Sequence, residues 1–140
     1  MVAAFPLLAL PVALYNLLML TIGGGFFGGG AAERLARPMA TLRMASRSVW
    51  TITLGDVLMT GALVILFAEL LKSAGSRQVA VLNHAMSMIL FVICLVEFLL
   101  FPAFATSTFF LISLMVLLDV LAGFIVTVIS ARREPDFTTD

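Results

Sequence analysis

Asp119 is the residue of this chain whose type and position most suggest chemistry. It stands inside a long aliphatic and aromatic run, about 20 Å of helix away from Arg132, the next charged residue. A carboxyl group at that depth in a membrane is costly unless it is hydrogen-bonded, paired or neutral. Because its run holds no basic partner, we expect Asp119 to carry its proton unless water or another chain stabilises the charge.

Small and hydroxyl residues share a helical face with Asp119. Gly123 and Thr127 follow it at intervals of four residues. Small residues allow a second backbone to approach closely, and the carboxyl then finds a hydrogen bond across the seam. Two hypotheses follow: the stripe packs against another helix, of this chain or of a partner subunit, or Asp119 is the proton or cation site of a small transporter or channel.

Asp56 and His84 are the ionisable residues that could join Asp119 in such a site. Asp56 is expected about two turns inside the second apolar run, with Thr60 on the same face. His84, the only histidine, could relay a proton or ligate haem. One histidine cannot supply two haem ligands within a monomer, so a hydrogen-bonded histidine near the interface is the structural alternative.

Catalytic motifs are absent from the sequence. It contains neither G-x-S-x-G nor H-E-x-x-H, and its single cysteine, Cys94, excludes an intrachain disulfide or a cysteine-cluster metal site. We therefore predict a protein that is not an enzyme and needs no cofactor or metal. An enzyme acting on a lipid through His84 and Glu97 is the remaining catalytic alternative.

A glycine run, "GGGFFGGG" over 23–30, imitates a dinucleotide-binding fingerprint through Gly23, Gly25 and Gly28. That fingerprint needs a preceding strand and an acidic residue about twenty positions later. Here an apolar run precedes it and Ser48 takes the acidic position. We predict instead a hinge that leads the chain out of the membrane.

Composition indicates a membrane protein. Of 140 residues, 62% are hydrophobic and 11% charged, and mean hydropathy is +1.18, whereas soluble domains are about a quarter charged. Net charge is zero, without acidic or basic tracts, so no nucleic-acid partner is expected. The prediction is a multi-pass integral membrane protein, expected in a bacterial inner (cytoplasmic) membrane.

Charge placement divides the chain into spans, since about 20 helical residues cross a bilayer core. Near the end of the second span, Glu69 is expected to pair with Lys72 at i+3. The predicted fold class is an all-α membrane protein with four transmembrane helices in one small bundle. The predicted divisions are spans at about 3–22, 49–71, 79–101 and 107–130, a hinge at 23–30, a connection at 31–48 and a polar tail at 131–140.

The connection 31–48 carries a cluster of arginines. Spaced as a helix, its apolar residues fall largely opposite its charges, which predicts an interfacial amphipathic helix with arginines toward lipid headgroups. A polar connection whose arginines merely flank the next span is the alternative. The headgroup-contacting residues would be Arg34, Arg37, Arg43 and Arg47.

The function favoured by these patterns is an accessory or structural subunit. Its partners would be the bilayer and either other membrane subunits or further copies of the chain. The alternatives are an oligomeric transporter or channel using Asp119 with Asp56 and His84, and a haem-binding subunit using His84. Lys and Arg residues divide evenly between the two sides of the spans, so the positive-inside rule selects no orientation.

Overall fold

The chain is predominantly helical. The computed structural model describes residues 5–22, 24–73 and 77–131, and the described structure is 71% helix. In chain order, the elements are α1 (Ala9–Thr21), α2 (Ala31–Leu35), β1 (Pro38–Arg43), β2 (Val49–Thr53), α3 (Leu54–Ser73), α4 (Arg77–Leu100), a 3-10 turn (Pro102–Phe104) and α5 (Ser107–Ala131).

Three of these helices are long and apolar enough to cross a membrane. They are Leu54–Lys72 in α3, Leu82–Leu100 in α4 and Ser107–Ile125 in α5. α1 has 13 residues, about 20 Å at 1.5 Å per residue, against a hydrocarbon core of about 30 Å. The four spans of the sequence prediction are therefore not confirmed within the residues that the structure describes.

The length of α1 has a local cause at each end. The helix begins at Ala9, which places Pro11 in the first turn, where its missing N–H would be unpaired in any case. At the other end the chain leaves helical geometry at Gly24 and Gly25, whose φ angles are 75° and 88°. The span predicted at 3–22 is thus shortened to Ala9–Thr21.

The connection 31–48 does not form the predicted interfacial helix, and this prediction is wrong. Only Ala31–Leu35 is helical, and β1 and β2 form an antiparallel hairpin beyond it. Pro38 cannot continue the helix because it lacks an N–H and clashes with the preceding turn. β-branched residues concentrate in β2, whose sequence is VWTIT, and favour extended backbone.

The hairpin also moves the start of the second span. Because 49–53 pair with β1, the helix begins at Leu54 rather than at 49. A capping box fixes this boundary: Thr53 Oγ1 accepts from Asp56 N at 3.2 Å, while Asp56 Oδ2 accepts from Thr53 N at 2.9 Å.

The long helices lie as a layer with α5 in the middle. α5 packs extensively against α4 and α3, whereas α3 and α4 make little contact with each other. Gly55 permits the close approach of α3 to α5, because a Cβ there would lie 2.8 Å from Thr108 Oγ1. The buried face of α5 includes Phe109, Ile112 and Val116.

α4 and α5 end close to the predicted boundaries, and the polar tail after Ala131 lies outside the described residues.

The segment 5–26 reaches from one end of this layer to the other. At one end Lys72 Nζ donates to the carbonyl of Phe5 at 2.7 Å. At the other, Ala103 N donates to the carbonyl of Phe26 at 3.2 Å. Lys72 ends the apolar stretch of α3 and Ala103 follows that of α4, so this segment spans the helix layer although α1 is short.

The glycine run packs against the turn between α4 and α5. Positive φ angles at Gly24, Gly25 and Gly30 let the chain fold back. Phe26 then contacts Phe104 edge to face, with ring centroids 5.3 Å apart. No strand precedes the run, so the context that a dinucleotide site requires is missing from the described residues; Gly23 lies outside them.

Candidate functional site

Asp119 lies buried where α4 and α5 pack together. It is 3% exposed, and its Oδ2 accepts a hydrogen bond from the hydroxyl of Ser87, which is fully buried, at 2.5 Å. The two residues belong to different helices, α5 and α4. The carboxyl group therefore has a hydrogen-bond partner on another helix of this chain.

His84 lies in the same contact between α4 and α5, beside Gly123. A Cβ at Gly123 would stand 2.8 Å from His84 Nδ1 and 3.1 Å from its Cβ, so the imidazole lies against a surface that only glycine leaves open. Gly123 follows Asp119 by about one turn, which brings the imidazole close to the carboxyl group. Nδ1 of His84 is buried and has no hydrogen-bond partner among the described residues.

Asn83 is a further polar residue on α4, and its side-chain amide is buried. It is 2% exposed, and its Oδ1 likewise has no hydrogen-bond partner in the described part of the chain. It precedes Ser87 by four residues and so shares that face of α4. We call Asn83, His84, Ser87 and Asp119 the polar seam.

Glu69 and Lys72 of α3 lie near the polar seam and hold the N-terminal segment. The predicted pair is present, with Lys72 Nζ 2.8 Å from Glu69 Oε1. Glu69 is fully buried and its Oε2 accepts the backbone N–H of Leu7. Leu7 stands two residues before Ala9, the first residue of α1, so the carboxylate of Glu69 holds the chain just ahead of that helix. Asp119 lies within electrostatic range of Glu69, Lys72 and His84.

Asp56 does not join the polar seam. It lies in the first turn of α3, about 20 Å of helix from Glu69, and its carboxylate is engaged in the capping box with Thr53. Thr60 lies one turn further on and is exposed. Asp56 borders a cavity of about 330 Å³ between α2, α3 and α5. The fold therefore does not bring Asp56 next to Asp119 and His84.

The other predicted site residues fall in three places. Gly123 lies beside His84, whereas the side chain of Thr127 lies outside the described residues. Arg34 turns inward: its buried Nη1 is the nearest side-chain atom to a Cβ placed on Gly24, at 3.9 Å. The remaining three arginines are exposed on or beside the hairpin, at positions Arg37, Arg43 and Arg47.

Further polar contacts tie α1 to the layer. The Tyr15 hydroxyl lies 2.6 Å from Thr106 Oγ1 and 3.1 Å from the carbonyl of Ala103. Asn16 Nδ2 donates to Glu97 Oε2 at 3.3 Å. These partners are missed by the sequence reasoning because each pair is distant along the chain. For the polar seam a signal existed, since Asn83 and Ser87 stand four residues apart in an otherwise apolar run.

Among the described residues, no three His, Cys, Asp or Glu side chains are grouped so that they could hold a metal ion. Haem ligation by His84 stays a hypothesis. Comparison with known protein families, curated proteins and solved structures finds no match to this chain.

Proposed function

We propose that this protein is a non-enzymatic accessory or structural subunit whose helices pack against the transmembrane helices of a membrane complex. The observation that carries the proposal is the position of α4. It packs on α5 along one face, and only 17% of its apolar span is buried, against 33% for α5. The opposite face carries a shallow apolar groove lined by Met88, Ile89, Val92 and Ile93.

A groove of this kind accepts the ridge of side chains that a neighbouring helix presents. Close packing between helices in lipid depends on such fit, since lipid itself is as apolar as the side chains. The acidic residues of the spans support the same proposal. Asp56, Glu69, Glu97 and Asp119 are all engaged in contacts that cap or join this chain's own helices.

The proposal includes the number of membrane crossings and the membrane in which the protein lies. We propose that α1 and its flanking residues form a fourth crossing, because the segment 5–26 contacts both ends of the helix layer. A bacterial inner membrane is the proposed location, since membranes of that kind are crossed by apolar helices rather than by the barrels of outer membranes.

Replacing Val92 by Trp tests the subunit proposal. Val92 is 57% exposed, so the larger ring would be tolerated in lipid but would overpack a helix interface at a cost of about 1–3 kcal/mol. We expect the complex to dissociate roughly 5- to 150-fold more readily, measured by native electrophoresis after mild solubilisation. Mass spectrometry of the intact assembly distinguishes a partner subunit from further copies of this 15.0 kDa chain.

Val64→Trp is the matched control. Val64 is 64% exposed on α3 and receives the same change of volume. The control complex should remain intact. An assembly that is equally stable with Trp at either position, or a wild-type protein that is monomeric in its native membrane, would contradict the proposal.

A proton- or cation-coupled transporter or channel is the second candidate. The polar seam favours it, because it places a buried carboxyl beside an imidazole and an amide whose Nδ1 and Oδ1 have no partner among the described residues. Intramembrane groups of this kind commonly bind or relay protons and cations. Substitution of Asp119 separates the two candidates.

A further inference from the structure

The hairpin β1–β2 has one apolar and one mainly polar face. Its register pairs Leu42 with Trp50 and Ala40 with Ile52, and side chains of directly paired residues point to the same side of a sheet. The intervening pair, Thr41 with Thr51, points to the other side. We call Ala40, Leu42, Trp50 and Ile52 the apolar hairpin face.

The rest of the described chain leaves most of the apolar hairpin face uncovered, and only Ile52 is half-buried. Leu42 is 48% exposed and Trp50 51% exposed, and every residue of β1 is exposed. A tryptophan and a leucine side by side in water form an apolar patch that monomeric proteins usually cover. The apolar hairpin face is therefore a candidate docking surface.

The charge of the hairpin indicates what kind of surface it would contact. Residues 36–53 contain three arginines, Arg37, Arg43 and Arg47, and no acidic residue. All three are exposed. An exposed basic segment of this kind is complementary to an anionic surface, and arginine in particular binds phosphate oxygens through its planar guanidinium.

The position of the hairpin next to an apolar helix indicates that this surface is the bilayer. β2 ends at Thr53 and the apolar span of α3 begins at Leu54, so no linker separates the hairpin from the membrane boundary. Tryptophan is enriched at this level of membranes. The outer edges of a two-stranded hairpin have unpaired N–H and C=O groups, which exclude it from the hydrocarbon and confine it to the hydrated headgroup layer.

We propose that the hairpin docks on the headgroup layer of the bilayer and prefers anionic phospholipid, with the apolar hairpin face toward the acyl chains and Arg37, Arg43 and Arg47 contacting phosphates. This inference rests on the membrane-spanning helices and not on the subunit function. It replaces an interfacial helix by a β-ribbon with the same amphipathic character.

Trp50 makes the proposal directly measurable because it is the only tryptophan of the chain. The full-length protein is reconstituted in vesicles of phosphatidylcholine, with or without phosphatidylglycerol. With phosphatidylglycerol we expect blue-shifted Trp50 emission, quenching by lipids brominated near the glycerol end of the chain, and little quenching by acrylamide in the water. High salt and Arg→Gln at all three arginines should reduce the effect of phosphatidylglycerol.

Two aspartate substitutions separate the faces. Leu42→Asp places a charge on the apolar hairpin face, whereas Thr41→Asp places the same charge on the neighbouring residue of the opposite face. Leu42→Asp should abolish the blue shift and the quenching by brominated lipid. Thr41→Asp should retain most of both, because only its electrostatic effect opposes docking.

Several outcomes would overturn the proposal. One is Trp50 emission typical of water, with equal acrylamide quenching in both kinds of vesicle. Another is an equal response to Leu42→Asp and Thr41→Asp. If Trp50 is shielded in native membranes but not in vesicles of the purified protein, a protein partner covers the face instead. The Val92→Trp experiment is unaffected by any of these results, so the two proposals fail separately.

Discussion

Asp119 illustrates how a carboxyl group inside a long apolar helix can find a hydrogen-bond partner in a residue as small as serine. The Ser87 hydroxyl donates to it at 2.5 Å, and both side chains are buried between α4 and α5. Hydrogen bonds between transmembrane helices contribute about 0.6 kcal/mol on average, since the separated helices also find partners. Loss of the hydrogen bond between Ser87 and Asp119 should therefore change stability only modestly. If Asp119 is instead the proton or cation site of a transporter, loss of its titrating carboxyl group should abolish transport.

Substitution of Asp119 distinguishes these two roles. Asp119→Asn keeps a hydrogen bond to Ser87 but cannot titrate, and Asp119→Leu removes both properties. For a structural residue we expect unchanged assembly with Asn and a destabilisation of about 1 kcal/mol with Leu, measured by unfolding in detergent and native electrophoresis. Loss of proton or cation flux in proteoliposomes with Asn, while assembly stays intact, would show that the transporter hypothesis is correct.

The hairpin shows why a helical spacing of arginines and apolar residues does not by itself establish a helix. Arginines and apolar residues in 31–48 are spaced so that a helix would be amphipathic, yet β1 and β2 sort the same residues onto two faces with a period of two. Pro38 and the β-branched residues of β2 favour the extended alternative. The turn at 45–47 contains Arg47 at φ 67°, a conformation that favours glycine.

Arg47→Gly should stabilise the hairpin. Glycine adopts a positive φ without the steric cost of about 1–2 kcal/mol that a side chain incurs. We expect slower amide hydrogen exchange across 38–53, measured by mass spectrometry in nanodiscs of neutral lipid so that headgroup binding contributes little. Arg43→Gly removes the same charge from the strand and should speed exchange, because glycine weakens strand interiors. Faster exchange in both variants would contradict the turn geometry.

The molecule as a whole depends on contacts that fasten its N-terminal segment to the helix layer. Glu69 and Lys72 bind the backbone of Leu7 and Phe5 at one end, and Tyr15 binds Thr106 near the other. Together these contacts let a chain segment with a short helix extend from end to end of a layer of longer ones. α5 lies at the centre of the layer and leaves α4 with one face free for a neighbour.

Glu69→Gln should loosen the N-terminal segment. The substitution weakens the charged hydrogen bond to Leu7 and leaves Lys72 without its carboxylate, an effect of about 1.5–3 kcal/mol for bonds to charged groups. Amide exchange across residues 5–12 should accelerate roughly 10-fold or more. Glu33→Gln, at an exposed carboxylate of α2, is the matched control. Equal exchange rates in both variants would show that Glu69 does not hold the segment.

The sequence by itself determined that the chain is mostly helical and that it contains long apolar helices. Hydropathy and the spacing of charges are local properties, so the α4 and α5 regions and the turn at Pro102 could be read directly. Tertiary structure decided the rest. Ser87 and Asp119 are 32 residues apart, and Leu7 and Glu69 are 62 apart, so their pairing depends on which helices are neighbours. The choice of strand over helix at 38–53 likewise depends on pairing between two segments, which the periodicity along either segment alone does not reveal.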